Sequence, residues 1–458
     1  MIITCICGSP KGAKSVTMQY ANYLQLKYPN HSFEFIHAAQ YIERYERNPE
    51  YFEEAIEKIN RADLVIWVFP LYILNVHGGL KRFIELLFER KKERAFDGKY
   101  AAAISTSINF YDNTAHNYIN AISDDLGMKY IDYFSAHMDL LNKKGGDKSL
   151  LKFADYIFDC VLSELVPAKR YEKISWDNKA FQHKTNTGEK ITSSKKITVI
   201  ADSHDTGLDN MISFFKDSFA EEINVSYLSD ISIKGGCRGC LKCGPQNNCF
   251  YDKKDQFRQF FDNIIKSCDM IVFAGKVADR YLSAAWKTAF DRLFYNTHQR
   301  TFEGKQIGFL ISGPLKKLPD LKEILASYFE FQNSNIVDFI SDDGIDKEVA
   351  DNLYGLAKRL VYCAENNYIK PSTFRAIAGM KIFRDEIYGG LKIIFRADHR
   401  NYRKTGVYDF PQKNIIKTLL FRLAYLVTSI GFIQKKMIGN MPDFMVKPYK
   451  HHFAEEKK

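Results

Sequence analysis

Four cysteines lie close together near the middle of the chain: Cys237, Cys240, Cys243 and Cys249. Their C-x2-C-x2-C-x5-C spacing suits a [4Fe–4S] cluster, because three closely spaced thiolates can wrap one corner of the cubane and the fourth completes the ligation. Tetrahedral zinc also accepts four thiolates, although structural zinc usually uses two separated C-x2-C knuckles. The spacing favours an iron–sulfur cluster, with zinc and a vestigial, empty cysteine site as the alternatives.

A second candidate site follows the first apolar run, Ile2 to Cys7, and reads Gly-Ser-Pro-Lys-Gly-Ala-Lys-Ser-Val-Thr from Gly8 to Thr17. Hydroxyl groups beside the free amides of a helix N-terminus suit a phosphate monoester. The loop matches neither the P-loop pattern nor G-x-G-x-x-G, and a plain strand-to-helix turn is the alternative. The candidate contacts are Ser9, Pro10, Lys11, Ser15, Val16 and Thr17.

Polar and aromatic residues also follow the third and fourth apolar runs, and Gly79-Leu80-Lys81-Arg82-Phe83-Ile84 comes between them. With the phosphate loop, these segments resemble the flavodoxin-like NAD(P)H-dependent FMN reductase family over about Met1 to Leu165. The resemblance implies that the loop holds the FMN phosphate, although Val16 stands where the family commonly has Asn. It implies no catalytic side chain, because the flavin does the chemistry. By the same resemblance the isoalloxazine is flanked by Pro70, Leu71, Tyr72, Ile73, Leu74, Asn75, Ser105, Thr106, Ser107 and Asn109.

These loops need a parallel sheet to bring them together, and the sequence predicts one. Short apolar runs alternate with segments of helical period, which is typical of parallel strands covered on both faces. The pattern occurs twice: Ala62 to Phe69 resembles Cys268 to Gly275, at an offset of 206 residues that recurs downstream. We therefore predict an α/β fold with two tandem flavodoxin-like, doubly wound, five-stranded parallel sheets and a basic helical C-terminal extension.

The second copy differs from the first at its own candidate flavin site. It has gained twelve residues between its first and third strands, and this gain coincides with the cysteine cluster. Over about Lys196 to Tyr362 it resembles the iron–sulfur flavoproteins. Three aspartates between Asp202 and Asp209 would repel a phosphate, and Lys276 and Ala278 replace the proline and tyrosine. We predict one FMN, in the first copy. Two lysines at equivalent helical positions, Lys81 and Lys287, are interpreted as solvated.

The predicted domains are an FMN-binding domain at 1–165, a linker at 166–195, a second domain with the cysteine cluster at 196–366, and the extension at 371–458. The net charge of +10 lies entirely in the extension, which has 17 basic and 7 acidic residues. We therefore predict no nucleic-acid partner. The apolar helix predicted from Ile415 to Ile433 has two apolar faces, which favours packing on the second domain and a homo-oligomer, with peripheral membrane contact as the alternative.

The nine cysteines and the lack of a signal-peptide pattern predict a cytoplasmic protein, and the composition excludes collagen-like, disordered and disulfide-scaffold classes. The predicted function is an FMN-dependent oxidoreductase. It would pass electrons between NAD(P)H or a reduced carrier and a quinone, flavin, nitro compound or protein, with a [4Fe–4S] relay. The alternative is a non-enzymatic electron carrier or redox sensor with a structural cysteine site.

Overall fold

The computed structural model describes residues 1–176, 180–183, 185–186 and 188–447. It contains two five-stranded sheets in which all strand pairs are parallel. The strands of the first copy are β1 (Ile2–Cys7), β2 (Ser32–Ile36), β3 (Leu64–Pro70), β4 (Tyr100–Ser107) and β5 (Lys129–His137). Those of the second copy are β6 (Ile197–Ala201), β7 (Asn224–Tyr227), β8 (Met270–Lys276), β9 (Gln306–Ser312) and β10 (Asn335–Ser341).

The strand orders are β2-β1-β3-β4-β5 and β7-β6-β8-β9-β10, so the two sheets have the same topology. The central strands are continuous apolar runs because both faces of each sheet are covered: all residues of β4 and the first six of β3 are buried. The predicted fold class and its repeat are confirmed. In this topology the order of strands reverses beside β1 and β3, where ligands of open parallel sheets bind.

The helices alternate with the strands as predicted. In the first copy they are α1 (Val16–Lys27), α2 (Ile42–Arg47), α3 (Pro49–Asn60), α4 (Gly78–Glu89), α5 (Asp112–Asp125) and α6 (Gly146–Leu162). The second copy has α7 (Thr206–Asp217), α8 (Phe257–Ser267), α9 (Ala284–Arg292), α10 (Pro319–Phe331) and α11 (Asp346–Glu365). The extension has α12 (Phe374–Tyr388), α13 (Arg396–Lys404), α14 (Ile415–Thr428), α15 (Gly431–Gly439) and α16 (Met441–Val446).

The predicted linker at 166–195 has no helix or extended strand among its described residues. It is nevertheless anchored, since Asp124 Oδ2 accepts the backbone N–H groups of Arg170 and Tyr171, both at 3.0 Å. Farther along, Phe181 is buried in the core of the second copy. Residues 177–179, 184 and 187 of this segment, and 448–458 of the extension, lie outside the described residues.

The chain forms two compact units, Met1–Asn401 and Tyr402–Lys458. The first unit contains both sheets together with α12, whose Phe383 ring lies 4.7 Å from Phe110 of the first copy and 5.3 Å from Phe331 of the second, between ring centroids. The two copies are therefore joined through an element of the predicted extension.

In the second unit, the single helix predicted from Ile415 to Ile433 is wrong, because α14 and α15 are separated by a bend of 102°. Ser429 Oγ donates to the Tyr425 carbonyl and Thr428 Oγ1 to the Ala424 carbonyl, both at 2.7 Å, and such side-chain bonds bend helices. Gly431, which follows, has a low helix propensity. Among the described residues no single helix is long and apolar enough to cross a membrane, whereas α14 and α15 pass that test only as a bent pair.

Candidate functional site

The predicted phosphate loop lies beside the carboxyl end of β4. Thr17, in the first turn of α1, and Thr106, near the end of β4, have hydroxyl oxygens 2.5 Å apart. The hydroxyl-bearing residues of the loop are all buried: Ser9, Ser15 and Thr17. The fold therefore turns the hydroxyls of this loop inward, toward the edge where parallel strands end.

The backbone of the loop suits an anion. Ser15 precedes α1 in an extended conformation and its side chain makes no capping hydrogen bond, so the first-turn amides of α1 keep their donors for another acceptor. Gly12 has a φ of +53°, and a Cβ there would overlap the Gln40 side chain. Of the other predicted contacts, Pro10 is half-buried, while Lys11 and Val16 are exposed at the rim.

The segment after β3 makes a strained two-residue turn. Tyr72 N–H donates to the Asn75 carbonyl at 2.8 Å, and Asn75 N–H donates back to the Tyr72 carbonyl at 3.0 Å. The two residues between them, Ile73 and Leu74, have φ values of +38° and +59°. This turn type normally takes Asn-Gly, and bulky residues with positive φ cost about 1–3 kcal/mol each. Strain of this size is typical of ligand-binding segments.

The same segment contains an unpaired polar group. Asn75 is fully buried, and its Oδ1 accepts the Val76 N–H at 2.7 Å, but its Nδ2 has no hydrogen-bond partner among the described residues. Leu71 N–H donates to the Thr106 carbonyl at 3.2 Å, which joins this segment to the end of β4. A buried amide without a partner is what a segment built to bind the polar edge of a ligand would show.

The predicted contacts after β4 are partly engaged within the protein. Ser105 Oγ lies 2.8 Å from His116 Nε2, and burial lowers the pKa of His116 to about 4, so the ring is neutral. Ser107 Oγ accepts the Asn109 N–H at 2.8 Å, and Asn109 itself has a φ of +58°. Because these hydroxyls form hydrogen bonds within the protein, the backbone groups of the loop are the ones that remain available to bind a ligand.

In the second copy, a carboxylate lies at the helix N-terminus that is equivalent to the predicted phosphate site. Asp205 Oδ1 accepts the N–H groups of Gly207 and Leu208 at the start of α7, at 3.2 and 3.3 Å. Its Oδ2 pairs with Lys276 Nζ at 2.8 Å. Burial alone would raise the pKa of Asp205, but Lys276 and the amides outweigh it and lower the pKa. A fixed carboxylate at this helix N-terminus supports the prediction that this copy binds no FMN.

The four predicted metal ligands line one small cavity, with Tyr251, Arg292 and Phe294 among its other walls. Burial raises the pKa of Cys237 and of Cys243 to about 12, so cationic metal would be needed to hold them as thiolates. Among the described residues no three His, Cys, Asp or Glu side chains are close enough to hold a single metal ion.

The cysteine loop of the second copy, residues 237–249, packs on residues 70–75 of the first copy, the predicted flavin segment. The sequence did not predict this contact. Gly239 has a φ of +59°, and a Cβ there would overlap the Tyr72 hydroxyl and come within 2.9 Å of Lys11 Cε. His77 Nε2 lies 2.7 Å from the Cys237 carbonyl oxygen, and its ring packs edge-on against Tyr72 with the centroids 4.8 Å apart. The two candidate cofactor sites are therefore neighbours.

Helices α4 and α9 hold the copies in this arrangement, and they do so reciprocally. Glu85 Oε1 of α4 accepts the Ala284 N–H at the start of α9, while Asp291 Oδ2 of α9 accepts the Gly78 N–H at the start of α4, both at 2.7 Å. Each carboxylate thus caps the equivalent helix of the other copy. Both pairs of positions differ by the same 206 residues as the sequence repeat.

Two buried lysines complete the pattern, and their interpretation as solvated is wrong: Lys81 and Lys287 are 0% exposed. Lys287 Nζ pairs with Asp291 and donates to the Tyr72 carbonyl at 2.9 Å. Lys81 Nζ pairs with Glu85 at 2.6 Å and with Asp279 of the second copy at 3.0 Å. The signal in the sequence was the recurrence of each lysine with an acid four residues later.

Burial affects the two lysines differently. It would lower the pKa of Lys81, but the carboxylates of Asp279 and Glu85 outweigh it and raise the pKa. The pKa of Lys287 is lowered, because burial outweighs the attraction of Asp291. Lys287 therefore depends more on the few acceptors it has, one of which is the backbone of the flavin segment.

Residues 1–139 match the family model described as NADPH-dependent FMN reductase. The predicted resemblance is confirmed for this part of the chain, and it supports the predicted class, an NAD(P)H-dependent FMN oxidoreductase. The resemblance of the second copy to iron–sulfur flavoproteins stays a prediction. No curated protein matches the chain.

Three solved structures illustrate the likeness. An apo NADH:FMN oxidoreductase is 22% identical, covering 35% of this chain and 89% of its own, with a TM-score of 0.31. The flavoenzyme NAD(P)H:(acceptor) oxidoreductase FerB from Paracoccus denitrificans is 18% identical, covering 35% and 97%, with a TM-score of 0.30. General stress protein 14 from Treponema denticola, in complex with FMN, is 12% identical, covering 35% and 98%, with a TM-score of 0.28.

Proposed function

We propose that the chain is an FMN-dependent oxidoreductase in which the first copy binds FMN and the cysteines of the second copy hold a [4Fe–4S] relay. The observation that carries the proposal is the contact between the two candidate sites. The backbone of Gly239, between two of the cysteines, packs on Tyr72 and Lys11 of the first copy. Two redox groups held at these places would be neighbours within one folded unit.

The residues of the first copy fit FMN. Ser9, Ser15 and Thr17 offer inward hydroxyls beside the free amides of α1, which suits the phosphate. Asn75 offers a buried amide without a partner, and the strained turn before it presents backbone groups to a flavin edge. Bound there, FMN would supply hydride chemistry and a [4Fe–4S] cluster would supply one-electron chemistry.

The chain's own residues position and enclose that site. Lys287 fixes the Tyr72 carbonyl, and the His77 ring supports the Tyr72 ring while it contacts the Cys237 carbonyl. The second copy therefore orders the flavin segment of the first and covers it on one side, which limits access of water. No side chain is assigned as acid or base.

For the cysteine site, the spacing in the sequence favours a cluster over zinc. Three thiolates at intervals of three can wrap one corner of a cubane whose irons each take one thiolate, whereas structural zinc usually uses two separated C-x2-C knuckles. Arg238 lines the cavity, and its charge would offset part of that of a thiolate-ligated cluster, whereas Arg292 is already paired with Asp255 at 2.8 Å. The alternative is an electron carrier or redox sensor with a structural zinc or an empty cysteine site.

Electrons would come from NAD(P)H or a reduced carrier and pass to a quinone, flavin, nitro compound or protein. The description of the matching family names NADPH. All nine cysteines are free, which supports a reducing, cytoplasmic location. The division into domains at 1–165, 196–366 and 371–458 and the homo-oligomer stay predictions.

The deciding experiment is anaerobic purification of the full chain, followed by its visible spectrum, analysis of FMN, iron and sulfide, and stopped-flow mixing with NADPH or NADH. We expect one FMN and four irons per chain, with flavin bleaching followed by loss of cluster absorbance. Steady NAD(P)H oxidation with a quinone would separate an enzyme from a carrier. Two FMN per chain, or zinc without sulfide, would contradict the proposal.

A further inference from the structure

The second unit exposes an unusual amount of apolar surface. No side chain of α14 is buried, and its aromatic residues Phe421 and Tyr425 are 70% and 72% exposed. In α15, Phe432 is 78% exposed. The exposed aliphatic residues extend around α14 and into the bend: Ile415, Ile416, Leu419, Leu420, Leu423, Leu426, Val427 and Ile430. Water is a poor solvent for such a surface, so the unit requires a covering.

The charge of this surface indicates what covers it. The segment 410–442, which includes α14 and α15, contains five basic residues and no acidic one. Asp409 is the one acidic residue that lines the groove beside α14, together with Lys413, Lys417 and Arg422. A surface that is apolar and has an excess of positive charge matches the boundary between anionic headgroups and acyl chains. Two such surfaces meeting in a dimer would place like charges together, which disfavours a second copy as the partner.

The geometry favours lying in a membrane surface over crossing the membrane. The 14 residues of α14 extend about 21 Å at 1.5 Å per residue, less than the roughly 30 Å of a hydrocarbon core. The bend of 102° directs α15 away from the axis of α14, so the pair does not add up to one straight span. Lys417 and Arg422, on α14 itself, can extend their charged ends toward headgroups.

We propose that α14 and α15 dock the protein on an anionic lipid surface, with their aromatic and aliphatic side chains at the boundary of the acyl region. The basic residues of 410–442 would contact lipid phosphates. This inference rests on the second unit alone and is independent of the cofactors of the first.

The test is co-sedimentation of the full chain with phosphatidylcholine vesicles that contain 0 or about 30% phosphatidylserine. We expect binding to the anionic vesicles that falls as salt is raised. Lys417→Gln with Arg422→Gln should weaken binding about 30-fold, since each basic residue near the surface contributes a factor of about five. Phe421→Ser with Tyr425→Ser should weaken binding to both kinds of vesicle.

Matched controls alter exposed residues of the first unit. Lys152→Gln with Lys347→Gln removes two exposed basic side chains, and Phe374→Ser removes an exposed aromatic side chain; neither should change binding. Circular dichroism would show that the variants stay folded. Equal binding of all variants, or no binding to anionic vesicles, would overturn the proposal. So would a dimer, seen by light scattering, that the Phe421 and Tyr425 variant dissociates while vesicles leave it intact.

Discussion

The pseudo-symmetric lysines offer a sharp test, because one of them contacts the flavin segment and the other does not. Replacing Lys287 by Met keeps the length of the side chain but removes its bond to the Tyr72 carbonyl. A hydrogen bond from a charged donor contributes about 1.5–3 kcal/mol. If that energy orders the turn for FMN, its loss raises the FMN dissociation constant about 10- to 100-fold.

Lys81→Met is the matched control. Both lysines are fully buried, and each variant leaves a buried carboxylate without its cation, which costs about 3–5 kcal/mol of unfolding free energy. We therefore expect urea denaturation to show similar destabilisation in both. Only Lys287→Met should weaken FMN binding, because Lys81 contacts Asp279 of the second copy instead.

The measurement is FMN fluorescence titration of the apoprotein. It is done without urea, at a temperature where both variants show native circular dichroism. Equal FMN affinities in the two variants would refute the role assigned to Lys287, whatever their stabilities. A loss of affinity in Lys81→Met alone would refute the assignment of FMN to the first copy.

Three further outcomes follow from the sites. Cys240→Ser should strip iron and sulfide while FMN stays bound, whereas Cys268→Ser, a buried cysteine outside the cavity, should keep both; equal iron in the two variants would contradict the cluster. Ser15→Ala with Thr17→Ala should weaken FMN binding by more than tenfold in the same titration, since phosphate hydrogen bonds contribute about 1.5–3 kcal/mol each. Burial lowers the pKa of His116 to about 4 in the folded protein, whereas the same side chain in the unfolded chain has a pKa of about 6.5. As the pH falls below about 6.5, His116 is therefore protonated in the unfolded chain before it is protonated in the folded protein. The free energy of unfolding should therefore fall by about 3 kcal/mol between pH 6.5 and 4. His116→Phe, which keeps a ring on Tyr133, should flatten that slope in urea melts, and an unchanged slope would contradict the burial of His116 as its cause.

Local patterns were enough to predict the two sheets, because a continuous apolar run such as Leu64 to Phe69 is typical of a strand covered on both faces. They were also enough to locate the loop at Ser9 to Thr17, since the topology brings the ends of the central strands to one edge. They did not show that Lys287 is buried. The acid four residues later also occurs on solvated helix faces, and the other acceptor of Lys287, the Tyr72 carbonyl, is 215 residues away.

The asymmetry between the copies explains why one chain would carry one flavin site and one cysteine site. The reciprocal caps of α4 and α9 place the start of each helix against the other copy, so each candidate site faces a segment of its neighbour. Only the second copy has the cysteine loop, and Gly239 of that loop packs on Tyr72 and Lys11 of the first copy. The equivalent site of the second copy is closed by its own pair, Lys276 and Asp205. The two copies thus share one topology but would bind different cofactors, because the cysteine loop packs on the site of the first copy and the Lys276–Asp205 pair closes the site of the second.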